Sequence, residues 1–169
     1  MAYKELPSQE RLKELFDYDP ETGVFTWKVN RRTKKTKGKT AGSIDTRGHI
    51  QISINSSLYL AHRLAWVYYY GESPGDMFVD HINLNKCDNR IKNLRLATNT
   101  QNQYNKSLNK NNKTGYKGVS FHKKKNNYRA TIRVDGEYKY LGSFYTPEEA
   151  SLAYQAAAKQ YHKEFARGV

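Results

Sequence analysis

Acidic residues are scarce in this chain: 16 Asp and Glu face 29 Lys and Arg, leaving a net charge of +13. With a pI near 9.7, that imbalance points to a polyanionic partner, nucleic acid first and an anionic membrane surface second. Cysteine is nearly absent. The single Cys87 excludes an internal disulfide and a four-cysteine zinc site, and it reads as a loop residue without chemistry. No apolar run approaches the roughly 18 residues of a membrane span, and no charged-then-apolar signal segment opens the sequence, so a soluble, intracellular protein without a membrane partner is expected. Hydrophobic residues make up 37%, and the mean hydropathy of −0.93 is at the polar end for globular proteins. A length of 169 residues leaves room for one ordinary domain or two small ones.

The chemistry concentrates between Asp80 and Asn105. Asp80-His81 closes an apolar strand at Val79, an Asn- and Asp-rich loop follows, and a polar segment after Ala97 begins a helix, giving strand, loop, strand, helix. On an extended chain adjacent side chains point to opposite sides, so the carboxylate can hold a divalent metal while the imidazole faces another reactant. Asn89 and Arg90 read as residues that brace the loop through hydrogen bonds to backbone.

This stretch resembles the active site of HNH nucleases, especially phage and intron homing endonucleases. The matching residues are Asp80-His81, Asn85-Lys86, Asn89-Arg90 with Asn93-Leu94, and Thr98 with Asn102. The resemblance implies that His81 deprotonates water, that Asp80 and Asn102 bind one divalent cation, Mg2+ or Mn2+, and that Asn93 braces the loop behind the histidine. It also implies products with 5′-phosphate and 3′-hydroxyl ends. The last motif position is Asn where the family name has His, which keeps Asn99, Asn102 and Asn105 all open as the metal ligand.

Ahead of the motif, Pro7 to Phe16 reads as a short amphipathic helix and Val24 to Val29 as a strand, separated by turn formers from Tyr18 to Gly23. The helix, turn and strand, with Tyr18-Asp19-Pro20 before Gly23 and Trp27, also resemble the lead-in of phage HNH proteins. Lys28 to Lys39 carries seven Lys and Arg and no acid. It reads as a solvated mobile loop or as a strip along phosphates. Gly42 to Tyr59 reads as a meander of strands with Ile50, Ile52 and Ile54 inward, and Leu60 to Val67 as the core helix of the catalytic half, ending at Gly71. His62 on that helix is expected to be structural, with a phosphate contact as the other reading. His62-Arg63-Leu64 also resembles a His-Arg-Leu sequence found ahead of the family's active site. Residues 106–114, polar and basic, read as a linker.

The last segment alternates strictly from Tyr128 to Val134, and Asp135-Gly136 supplies a two-residue hairpin turn. That turn pairs Arg133 with Tyr138 and Thr131 with Tyr140, gathering Arg129, Arg133, Tyr138 and Tyr140 on one exposed face. Thr146-Pro147-Glu148-Glu149 is a capping box opening a helix whose apolar stripe runs from Ala150 to Phe165. Residues 115–169 resemble the Apetala-two/ethylene-response-factor (ERF) domain through Tyr116-Lys117-Gly118-Val119, Ala130 with Ile132-Arg133, Leu141-Gly142-Ser143-Phe144, and Glu148-Glu149-Ala150 with Ala153-Tyr154. The resemblance implies a three-stranded sheet in the major groove, with Lys117, Ser120, His122, Arg133, Tyr138 and Tyr140 at the reading positions. Ser120 and the tyrosines depart from that family's chemistry, so its recognition sequence is not carried over.

The expected architecture is α+β: an HNH ββα-metal module with flanking strands and helices over residues 1–105 (core motif 79–105), a linker over 106–114, then a three-stranded antiparallel sheet on one helix over 115–169. The expected function is metal-dependent, site-directed cleavage of double-stranded DNA, carried out by a monomer that nicks, in the cytoplasm of a bacterial host and with no small-molecule substrate. The alternatives are a sequence-selective DNA-binding regulator whose HNH module is inactive, and an RNA-binding protein using its tyrosines for stacking.

Overall fold

The computed structural model describes residues 5–31, 34–105, 108 and 111–166. Arg32 of the basic run, and Lys106, Ser107, Asn109 and Lys110 of the linker, lie outside the described residues. The chain divides into two compact units, Met1–Ala97 and Thr98–Val169.

The first unit opens with α1 (Gln9–Leu15), capped by the Ser8 hydroxyl, which accepts from the Arg11 N–H. The expected helix ends a residue early because Phe16 takes extended backbone and starts β1 (Phe16–Asp19). β1 pairs antiparallel with β2 (Val24–Trp27), Phe16 opposite Trp27 and Asp19 opposite Val24. The turn between them is set by the Asp19 carboxylate, which accepts from the Glu21 N–H and the Thr22 hydroxyl. Alternation along this hairpin sends Phe16, Phe25 and Trp27 into the core, where the Phe16 and Trp27 rings lie 4.4 Å apart. The basic run that follows is held by its own polar groups: Asn30 Oδ1 accepts from the Thr36 and Lys37 N–H groups, and Thr36 Oγ1 donates to the Val29 carbonyl.

A meander of β3 (Ser43–Ile44), β4 (Ile50–Ile54) and β5 (Ser57–Leu60) comes next. Its tight turn places Asn55 and Ser56 at positive φ. Ile52 and Ile54 are buried under α2 (Ala61–Tyr70), which buries Ala61, Leu64, Ala65 and Val67 and stops at Gly71 in the left-handed region. Complete burial of side chains such as Leu12, Ile52 and Leu64 contributes about 1.5–3 kcal/mol each. The unit closes with β6 (Phe78–His81) and β7 (Leu94–Ala97), an antiparallel pair whose connecting loop returns through a single 3-10 turn at Ile91–Asn93.

The second unit begins with α3 (Asn99–Tyr104), whose Thr98 and Gln101 form a reciprocal capping box. Its sheet is β10-β9-β8, antiparallel, built from β8 (Val119–His122), β9 (Asn127–Val134) and β10 (Glu137–Phe144). The Asp135-Gly136 turn pairs Tyr138 with Arg133 and Tyr140 with Thr131. The register then shifts between Tyr140 and Gly142, a β-bulge absent from the sequence expectation. Across the bulge Leu141 packs into the core. α4 (Pro147–Tyr161) covers the sheet with Ala150, Tyr154, Ala157 and Ala158 buried. The helix ends before Phe165, which is buried from a 3-10 turn beyond it, and Tyr161 stays exposed. Among the described residues no helix is long and apolar enough to cross a membrane.

Candidate active site

β6 carries the expected pair in two directions. Cross-strand register sets Asp80 opposite Arg95 and His81 opposite Leu94, so alternation places Asp80 and Arg95 on one face and Val79, His81, Leu94 and Leu96 on the other. On the first face Asp80 Oδ2 accepts from Arg95 Nε and Nη2, both at 3.1 Å, and both side chains are nearly shielded from solvent. The carboxylate thereby sits against a guanidinium fixed in place by two donors.

On the other face His81, itself buried, has its Nε2 3.0 Å from Asn89 Oδ1. A carboxamide oxygen can only accept, so Nε2 carries the proton in the neutral ring and the lone pair resides on Nδ1. Burial pushes the His81 imidazole below the ordinary histidine range, opposed by the Asn89 hydrogen bond and by the charges of Asp80 and Asp88. A neutral imidazole with a defined tautomer is the state a proton acceptor requires. Two further imidazoles surround it: the His62 ring meets His81 edge-on at 4.8 Å and the His49 ring lies 6.2 Å away. Burial lowers His62 strongly, so this neighbour is also neutral. Its Nδ1 and Asn89 Nδ2 are buried without a hydrogen-bond partner among the described residues.

The loop from Ile82 to Asn93 is built from short polar closures. Asn93 Nδ2 donates to Asn83 Oδ1 and to the Asp88 carbonyl, Asn93 Oδ1 accepts from the Asn83 N–H, and the Ile82 N–H donates to the Asn93 carbonyl. Arg90 grips the Asp88 carboxylate through Nε and Nη2, with Asn83 Nδ2 as a third donor. The Arg90 hydrogen bond, chiefly, holds the Asp88 carboxyl down to about 2. Arg90 thus braces the loop through a carboxylate, where the sequence pointed to backbone. Asn89 reaches the His81 ring, a contact that its position in an aperiodic loop does not announce.

The loop is also held from the N-terminal hairpin. The buried Tyr18 hydroxyl donates to the Asn89 carbonyl at 2.7 Å, and burial pushes the Tyr18 phenol up, keeping that hydroxyl a proton donor. Sequence reading missed this partner because it lies 71 residues away.

In the second unit the three asparagines of the metal-ligand question separate. Asn105 is buried, Asn99 Oδ1 accepts from Gln103 Nε2, and the half-buried Asn102 carboxamide makes no hydrogen bond among the described residues. No cluster of three or more His, Cys, Asp or Glu suited to a metal ion occurs among the described residues. A carboxylate with a carboxamide oxygen suits a hard cation that takes most of its ligands from water and phosphate.

The sheet's outer face brings Arg129, Arg133, Tyr138 and Tyr140 together. Arg133 lies over the Tyr138 ring at 5.6 Å, and Arg129 sits between Ser120 and Ser143 in register. Tyr138 and Tyr140 are 75% and 62% exposed, which leaves both rings available for contact. The other two expected DNA contacts are placed apart from these. His122 caps the Lys123–Lys125 turn by accepting from the Lys125 N–H, and Lys117 Nζ donates to the Tyr104 carbonyl.

Within the first unit a β-hairpin presents Asp80 and a carboxamide-held His81 on opposite faces, in the strand–loop–strand order of the HNH resemblance. Comparison with known proteins agrees: the HNH endonuclease family matches residues 59–104. Protein 3.8 of Escherichia phage T7 is 30% identical over 106 residues, covering 63% of this chain and 87% of that protein. The uncharacterized HNH endonuclease L560 of Acanthamoeba polyphaga mimivirus is 40% identical over 96 residues, 57% of this chain and 49% of L560, so the match spans about half of that relative. Among solved structures, one of the HNH homing endonuclease I-HmuI, described for DNA binding and cleavage, aligns over 81% of this chain and 77% of that one at 22% identity and a TM-score of 0.45. Residues 59–104 of the chain are an HNH endonuclease domain.

Proposed function

We propose that the protein is a metal-dependent, site-directed DNA endonuclease of the homing type. The observation that carries this reading is the Asn89-held imidazole of His81 beside the Arg95-paired carboxylate of Asp80. His81 Nδ1 takes a proton from water as the water oxygen bonds to phosphorus and the bond to the 3′ oxygen breaks. Asp80 and Asn102 would hold one divalent cation, Mg2+ or Mn2+, whose chemistry there is Lewis-acid stabilisation of charge on the phosphate and the leaving oxygen. Asn93 keeps the loop folded behind the histidine through its closures with Asn83 and Asp88.

The second unit supplies duplex recognition in this reading. Arg129 and Arg133 meet phosphate and base edges while Tyr138 and Tyr140 contribute contact area, in the manner of an Apetala-two/ERF-like sheet, with Lys117 and His122 at the margins. One site per chain makes the nick of a single strand by a monomer the simplest product, in the cytoplasm of an infected bacterium. Incubating duplex DNA with the protein tests the assignment. Strand breaks are expected with Mg2+ and not with EDTA, and His81→Ala lowers their rate by about 10²-fold or more. Wild-type cutting by His81→Ala excludes His81 as the base.

A further inference from the structure

The family match begins at residue 59, yet the loop behind His81 is gripped by a hairpin far upstream. The Tyr18 hydroxyl donates to the Asn89 carbonyl at 2.7 Å and the Ile91 N–H donates to the Pro20 carbonyl at 3.1 Å, so the backbone on both sides of Arg90 is tied to the β1–β2 hairpin. Between these bonds the two backbone segments pass in direct contact. Gly23 has φ +73, and a Cβ there would lie 2.4 Å from Arg90 N and Asn89 C. Only glycine permits that approach. At the rim Lys92 donates to Glu21 across an exposed ion pair.

The tie reaches the imidazole through one residue. Asn89 is 1% exposed, its carbonyl is held by Tyr18, and its side-chain oxygen holds His81 Nε2. Tyr18 is itself wedged between rings, 4.6 Å from Phe25 and 5.5 Å from Tyr68, so the hydroxyl has little freedom to follow a wandering loop. We propose that Tyr18 of the N-terminal hairpin is a positioning residue, setting the orientation and tautomer of the His81 ring through Asn89. This rests on the reading of His81 as the base. A hairpin that merely packed would need only its apolar rings, and Phe16, Phe25 and Trp27 already supply them. The buried hydroxyl, aimed at the residue that carries the imidazole, is what packing does not require.

Tyr18→Phe keeps the ring and removes the bond. In the full chain, with cleavage of supercoiled duplex DNA in Mg2+ followed well below the melting temperature, kcat is expected to fall about tenfold with KM little changed. Glu21→Gln, which removes the exposed rim pair on the same interface, leaves kcat at the wild-type value. Nitrogen-15 NMR of the imidazoles, without DNA or metal, should show His81 as one tautomer protonated at Nε2 in the wild type and as a mixture in Tyr18→Phe. Wild-type kcat in Tyr18→Phe, or a loss of kcat with the His81 signal unchanged, overturns the proposal. Should His81→Ala cut as fast as wild type, the base reading fails separately, and the NMR comparison still decides whether the hairpin sets the ring.

Discussion

The two residues that define the site face opposite ways because β6 is extended, and each meets a different partner. Asp80 is matched by a guanidinium across the strand pair, whereas His81 is matched by a neutral carboxamide that fixes its tautomer without adding charge. The opposite directions of Asp80 and His81 follow from sequence alone, since a period of two needs only a strand. The identity of the His81 partner does not, because a loop has no period to relate Asn89 to His81. Asn89→Ala isolates this contact: turnover is expected to fall by roughly 10–100-fold, with DNA binding unchanged, as measured by single-turnover cleavage beside a binding titration. The same substitution removes an acceptor from a buried ring nitrogen and should destabilise the fold by about 1–3 kcal/mol in urea unfolding. His62 was legible as a core histidine from its helical position, but its edge-on contact with His81 joins two segments that only the tertiary fold brings together.

At the scale of elements, the loop from Ile82 to Asn93 behaves as a polar core in miniature. Its folding depends on Asp88 remaining ionised. The Asp88 carboxyl is held at about 2, chiefly by the Arg90 hydrogen bond, whereas an unfolded chain releases that proton near pH 4. A depressed pKa means that the stabilisation is complete above about pH 4 and is lost as the pH falls through 2. Because the Arg90 side chain is 40% exposed, solvent screening reduces the contribution to about 1–2 kcal/mol. Asp88→Asn should therefore lower stability at pH 7 by about 1–2 kcal/mol, and its penalty should shrink below pH 4 and vanish below about pH 2, as read by denaturant melts across pH. The Asp135-Gly136 hairpin was legible because turn chemistry and alternation agree. The β-bulge after Tyr140 was not, since Leu141 enters the core by adding a residue to one strand, which alternation cannot encode.

For the whole molecule, composition points to a polyanionic partner, and the fold sorts the cations into different uses. Arg90 and Arg95 serve carboxylates of the first unit, and Lys117 serves a carbonyl of the second. Arg133 donates its Nε to the Gly136 carbonyl at 3.0 Å and stands on an exposed face beside Tyr138. Arg133→Ala is expected to weaken duplex binding by about 1–3 kcal/mol if it reads a base, and to reduce the slope of log K against log salt by about 1 if it meets phosphate, as measured by titration at several salt concentrations. The compact units part at Ala97 and Thr98, so α3 clusters with the C-terminal sheet, and periodicity alone assigns so short a helix to neither neighbour.

The proposed activity is cleavage of DNA at a chosen site by means of His81 and a metal held at Asp80. Its most direct test is to incubate the protein with long phage or bacterial DNA in Mg2+ or EDTA and to map every new strand end by sequencing. Ends clustered at one position, on one strand and only with Mg2+, are predicted. Footprinted binding with no new ends under either condition would contradict the claim and leave Asp80 and His81 as structural residues of a DNA-binding protein.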